Sequence, residues 1–267
     1  MGGAHGPPAG GALTDWDGAS YRRVNTVQQW LARRALDDVD LTGVTSLLDF
    51  GCDDGRVTQS LAEQIPAGRC VGIDPSPGMI AVTPASSSLT FEVGAAETMT
   101  FEDEFDLVVS FNALHWVTDQ RRALAAVRAA LHVDGRAVLV FVCGGPRPSV
   151  EDVAMSVTAT PRWSGSFGGF SAPFVHPDPV QWQRDAASVG LRVDDVRVDD
   201  LSWDFGSREA FTAWCAVGFG GWTGASDSRG GFGVRGSGGR RLRGGDRFGP
   251  RVPVHAARGE AQPSLTL

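Results

Sequence analysis

"SLLDFGCDDGRVTQSLA", Ser46 to Ala62, decides the fold. An apolar run of strand type ends around the carboxylate of Asp49. Two glycines, Gly51 and Gly55, then flank Cys52, Asp53 and Asp54. From Arg56 onward the apolar residues return at helical spacing, with Val57, Leu61 and Ile65 at i, i+4 and i+8. Strand, glycine turn and helix in this order make the unit that receives a nucleotide at the end of a parallel strand. The continuous apolar run before the turn fits a strand covered on both faces.

Working outward, the same alternation recurs. Residues 69–75, 89–95, 105–111 and 135–144 read as further strands, and 191–203 as a long alternating one. Residues 21–36, 118–132 and 179–190 read as helices, with a last helix over "SREAFTAWCAVGF". Alternating β and α elements predict an α/β doubly wound sheet, with ligands at the carboxyl ends of its strands.

The turn itself limits the ligand. A dinucleotide fingerprint needs glycine at three positions of G-x-G-x-x-G. Here Gly51 holds the first, while Asp53 and Arg56 hold the others. The carboxylates of Asp53 and Asp54 would repel a pyrophosphate, so a nicotinamide oxidoreductase is the weaker alternative. A nucleoside carrying positive charge suits the turn better. Asp74, 23 residues after Gly51, stands where a carboxylate accepts from ribose hydroxyls. Its other reading is a helix cap.

Composition bounds the rest. The chain has 267 residues, enough for one large domain, and a net charge of −7. All of its basic residues are arginine. No apolar run nears the roughly 18 residues of a membrane helix. The four cysteines and five histidines are scattered without metal or disulfide spacing. These features predict a cytoplasmic protein without a metal, and its acidic body does not invite a membrane or nucleic acid.

Residues 1–15 read as a flexible arm. Gly224–Leu267 carries eight arginines, three acids and eleven glycines, so 223–267 reads as a disordered tail. Such a tail could bind RNA. The preferred reading is a shifted reading frame, because the composition changes abruptly after Trp222.

Four motifs in order, "LLDFGCDDGRVT", "VGIDPSPGMI", "FEVGAAETM" and "FDLVVSFNALHWV", resemble the class I S-adenosylmethionine-dependent methyltransferases over about Trp16 to Trp222. "ALHWV" is similar to the trans-aconitate and juvenile-hormone-acid methyltransferases, and "YRRVNTVQQW" to their N-terminal helix over the cofactor. The resemblance implies a seven-stranded Rossmann-like sheet. Its final antiparallel strand is expected to be missing or disrupted here.

The resemblance also implies S-adenosyl-L-methionine as cofactor. It places Asp49, Gly51, Cys52 and Gly55 around the methionine end and Asp74 on the ribose. Pro75, Ser76 and Met79 would lie along the adenosine, with Ala96 and Glu97 beside the adenine. Ser110, Phe111 and Asn112 would line the floor, and Tyr21 and Gln28 would reach in from the lid. Asp53 stands where the family usually has Gly, at a strain of roughly 1–2 kcal/mol, and its carboxylate could face the cofactor's cationic end. Ala95 stands where Asp commonly accepts from the adenine, so cofactor binding is expected to be weak for the family.

The expected acceptor is a small organic acid, O-methylated on its carboxylate. His115 orients this acid or acts as base, and Trp116 shapes the wall; the alternative is that both are structural. The aromatic segment 143–179 is expected to cover the acceptor, with Arg147 or Arg162 pairing its carboxylate. A non-catalytic cofactor-binding relative is the remaining alternative.

Overall fold

The computed structural model describes residues 15–37, 39–65, 68–84 and 89–222, and the backbone of 251–263. Seven strands form one sheet in the order β3-β2-β1-β4-β5-β7-β6. Strands β1 (Ser46–Phe50), β2 (Arg69–Asp74), β3 (Leu89–Val93), β4 (Phe105–Phe111) and β5 (Leu131–Val142) run parallel. Strands β6 (Leu191–Asp204) and β7 (Arg251–Pro263) complete it, with β7 antiparallel to both its neighbours.

Alternation along each central strand sends side chains to two cores. On one face Leu48, Ile73, Val108 and Phe141 pack against Leu124 and Val127 of α5 (Gln120–Ala130) and Trp182 of α7 (Pro179–Ser188). On the other, Leu47, Leu107 and Val138 pack against Ala32 and Ala35 of α2 (Thr26–Leu36) and Leu61 of α3 (Arg56–Ala62). Burial on both faces explains why β1 reads as an unbroken apolar run. The expected doubly wound α/β sheet is what forms.

Local departures have identifiable causes. The expected helix over 21–36 starts earlier, at α1 (Gly18–Val24), where Asp17 caps Ala19 and Ser20, and it breaks at the buried Asn25. Helix α5 stops at Ala130 because Leu131 already pairs with Phe105, ahead of a register shift in the β4–β5 ladder. Segment 143–179 contains α6 (Val150–Thr158), started by a capping box between Ser149 and Asp152. That signal is legible in "SVED".

The final strand corrects the sequence reading. The sequence reading takes 223–267 as a disordered tail and the final antiparallel strand as missing or disrupted. Instead Ala137–Val142 of β5 pairs with 256–261, and β6 pairs along all of β7. Ladder pairing uses backbone N–H and C=O groups, which every residue of 251–263 supplies except for the N–H that Pro253 and Pro263 lack. The long β6 offers a template that composition does not reveal. The rest of the tail expectation, 223–250 and 264–267, and the arm over 1–14, lie outside the described residues.

Candidate cofactor and acceptor site

The order of strands reverses between β1 and β4, and the crevice at their carboxyl ends is where doubly wound sheets take ligands. Gly51 turns the chain there at φ +69°. A Cβ on it would come within 2.1 Å of Ala113 Cβ, so only glycine fits. The Gly51 and Cys52 N–H groups both donate to Ile73 O, at 2.8 and 3.1 Å, and tie the turn to β2. Asp53 at φ +50° and Asn112 at φ +59° also adopt left-handed backbone, on the two sides of the crevice. A cleft of about 760 Å³ opens between them.

Carboxylates crowd this turn. Asp74 Oδ1 accepts from Ser76 N at 2.8 Å and Oδ2 from Asp53 N at 3.1 Å. Burial raises its carboxyl to about 6, although the two backbone bonds pull the other way. Asp49 accepts from the Thr58 hydroxyl at 2.7 Å on one oxygen, while its other oxygen is buried with no partner among the described residues. Burial raises it to about 7. Asp53 accepts from the Tyr21 hydroxyl at 2.5 Å and is held well above the usual carboxylate range by burial and by Asp74. Only Asp54 of this group has cationic partners among the described residues, Arg22 at 3.2 Å and Arg56 at 3.3 Å.

The N-terminal helices roof the cleft. Trp16 N donates to Ser76 Oγ at 2.9 Å, and its ring meets Tyr21 and Trp116 edge-on at 6.2 and 5.8 Å. Gln28 accepts from Trp214 Nε1, on α8 (Arg208–Gly218), at 3.2 Å.

Of the residues singled out in the sequence, Tyr21, Gln28, Gly51, Asp53, Asp74, Pro75, Ala96, Glu97, Asn112 and Trp116 line the cleft, as does Ala95. Asp49, Cys52 and Phe111 line a smaller recess behind the turn. Gly55, Ser76, Met79 and Ser110 line neither. Gly55, at φ +76°, gives way to the Phe91 ring, and Ser76 caps α4 (Pro77–Ile80), of which the buried Met79 is part.

His115 is buried and does not line the cleft. Its Nδ1 accepts weakly from Val142 N at 3.4 Å, and Nε2 has no partner among the described residues. Burial, and then His176, hold it well below the ordinary imidazole range, so it is neutral.

Sequence reading passed over Glu151. Its carboxylate is buried in the first turn of α6 and lines the cleft. It lies 3.9 Å from His176 Nε2, while Asp152 lies 3.3 Å from His176 Nδ1; neither approach is aligned as a hydrogen bond. The His176 ring stacks on Phe174, which meets Trp116 and Trp222. The arginines expected to hold an acid are elsewhere. Arg147 pairs with Asp200, and Arg162 lies over Trp163. Neither lines the cleft.

Residues 48–139 match the family model of a methyltransferase domain. The chain is 28% identical over 158 residues to trans-aconitate 2-methyltransferase of Variovorax paradoxus, covering 58% of this chain and 61% of that one. It is 30% identical over 156 residues to juvenile hormone acid O-methyltransferase of Bombyx mori, covering 54% and 55%. It thus spans under two thirds of the length of each of these relatives. In fold it is similar to the YcgJ protein of Bacillus subtilis, with a TM-score of 0.59 at 16% identity over 90% of this chain and 98% of that one.

Residues 48–139 thus carry the sequence of a methyltransferase domain, on a sheet of the Rossmann-like methyltransferase type. S-adenosylmethionine is the cofactor that the sequence motifs imply, and the cleft passes a test for that ligand. The crowded, raised carboxyls of Asp53 and Asp74 in the cleft, with an Asp49 oxygen in the recess behind it that has no partner among the described residues, call for positive charge, which the ammonium and sulfonium of that molecule carry.

Proposed function

We propose that the protein transfers a methyl group from S-adenosylmethionine to a small molecule with an apolar body. The observation that carries this reading is one continuous cleft, acidic at the β1 turn and aromatic at its far end around Trp116, Trp203, Trp214 and Trp222. Bound there, the cofactor supplies an already activated methyl, and the chain's task is to align the acceptor and exclude water.

On this reading Asp74 holds the ribose hydroxyls with the lone pairs its two backbone bonds leave free. Pro75, Ala96 and Glu97 border the base. Gly51 and Asn112 bring backbone close to the methionine part, and Asp49 and Asp53 face its positive charge from behind and beside the turn. Tyr21 and Gln28 close the roof. Cys52, Gly55, Ser76, Met79, Ser110 and Phe111 support this shape from outside the cleft. Trp116 forms the wall between the two halves, and the buried His115 supports it from behind, their rings 5.1 Å apart.

A second reading sets the acceptor atom as a carboxylate oxygen of an organic acid. The activities named for the Variovorax and Bombyx relatives support it, and an ionised carboxylate needs no base. Calorimetry with S-adenosylmethionine and, separately, with a nicotinamide dinucleotide tests the cofactor. Transfer of labelled methyl to a panel of acids, alcohols and amines tests the reaction. Binding of the nicotinamide cofactor alone would overturn the proposal, and binding without turnover of any acceptor would leave a cofactor-binding relative.

A further inference from the structure

Glu151 is the feature that the cofactor site does not use. It stands on a different element from the β1 turn, after β5, beside the aromatic half of the cleft. Charge in the cleft is one-sided. Asp15, Asp17, Asp53, Asp74, Glu97 and Glu151 line it, and no Arg or His does among the described residues. Asp53 and Asp74 sit at the β1 and β2 turns, and Asp15 and Asp17 are engaged at the start of α1, bonded to Gly78 N and to Ala19 N and Ser20 N. Glu151 lies by the acceptor wall instead, through His176 stacked on Phe174 and Phe174 packed on Trp116 and Trp222.

The basic side chain beside it is shared. His176 stands between Glu151 and Asp152, so one imidazole faces two carboxylates. Burial raises the Glu151 carboxyl above its ordinary range, although its own backbone N–H, the Ser149 hydroxyl and His176 pull the other way. An anionic acceptor entering this half would meet a like charge in a partly dry site, which disfavours it. A cation beside aromatic rings and a carboxylate gains from both.

We propose that Glu151 selects the acceptor: this half of the cleft takes a molecule that presents a hydrogen-bond donor to the Glu151 carboxylate, an amine before an alcohol, on an apolar body, and turns away the matching carboxylic acid. This rests on the methyl-transfer reading and opposes its carboxylate form.

The test uses three probes with one skeleton: 3-phenylpropylamine, 3-phenylpropan-1-ol and 3-phenylpropanoic acid. Each is titrated into the full chain saturated with S-adenosylhomocysteine, and binding is read from tryptophan fluorescence and calorimetry. The amine should bind at least about tenfold more tightly than the acid, with the alcohol between them. In Glu151→Gln the preference should shrink to about twofold, with homocysteine-product affinity unchanged. Should that variant not fold, the ranking in the parent protein decides alone. An acid that binds as well as the amine, a preference that survives Glu151→Gln, or no binding of any probe overturns the proposal. Failure of S-adenosylhomocysteine itself to bind would instead sink the methyl-transfer reading.

Discussion

The Tyr21 hydroxyl donates to Asp53 Oδ2 at 2.5 Å and joins the roof helix α1 to the turn that leaves β1. Tyr21 is the chain's single tyrosine and is buried. The bond answers a question the sequence raises, namely how an aspartate is tolerated where a left-handed turn favours glycine. The side chain finds a neutral donor from another element, and its own N–H anchors Asp74. Strain at φ +50° is therefore offset locally, and the turn and the roof are coupled.

That coupling is measurable. Tyr21→Phe leaves Asp53 without its donor and should cost about 1–2 kcal/mol of stability. Asp53→Gly relieves the left-handed strain and removes one of the crowded carboxylates but leaves the buried Tyr21 hydroxyl without its acceptor, so it should change the stability of the cofactor-free chain by less than about 1 kcal/mol. It should also change the S-adenosylmethionine dissociation constant. In the double variant the two effects should fail to add by at least about 0.5 kcal/mol in denaturant unfolding. Strict additivity would show that the bond does not couple the two elements.

Binding should depend on pH. Asp49 titrates near 7 and Asp74 near 6 in the folded chain, against a reference value of 3.8. Below that reference value both states are protonated and nothing is lost. As pH rises toward 7 the unfolded chain gives up these protons first, so the cofactor-free protein loses stability. A cationic ligand favours the ionised carboxylates. The affinity for S-adenosylmethionine should therefore rise by about tenfold or more from pH 5 to pH 8, with protons released on binding. Calorimetry in buffers of different ionisation enthalpy reads both, and a flat profile would remove these carboxylates from cofactor binding.

His115→Gln should act on stability more than on chemistry. The imidazole is buried, neutral and outside the cleft. Loss of its bond to Val142 N and of its packing on Trp116 should cost about 1–3 kcal/mol. Methyl transfer should stay within about threefold of the parent, with an unaltered pH–rate profile. A rate loss of about a hundredfold with a shifted profile would restore His115 as a base.

Deleting residues 251–267 should expose the facing edges of β5 and β6, since β7 is the strand between them. Unpaired edges invite association between chains. The truncated protein should be largely aggregated by size-exclusion chromatography. A monomeric, cooperatively unfolding product would mean that β7 contributes little.

The sequence by itself determined the parallel core and the strand–turn–helix unit at its switch point. Leu47 and Leu48 announce a strand buried on both faces, Gly51 announces the turn, and Asp74 follows at the end of the next strand. These are local signals, written within one strand–turn–helix unit at a time. The tertiary structure decided what depends on residues far apart in the chain. Glu151 meets His176 and the aromatic wall only because the chain returns to α6 at Phe174 and His176. Tyr21 reaches Asp53 across 32 positions, and His115 turns out to be enclosed. Strand β7 has no pattern of its own strong enough to name it. Its conformation comes from two neighbouring strands whose backbone groups need partners, and such demands are invisible until the sheet is assembled.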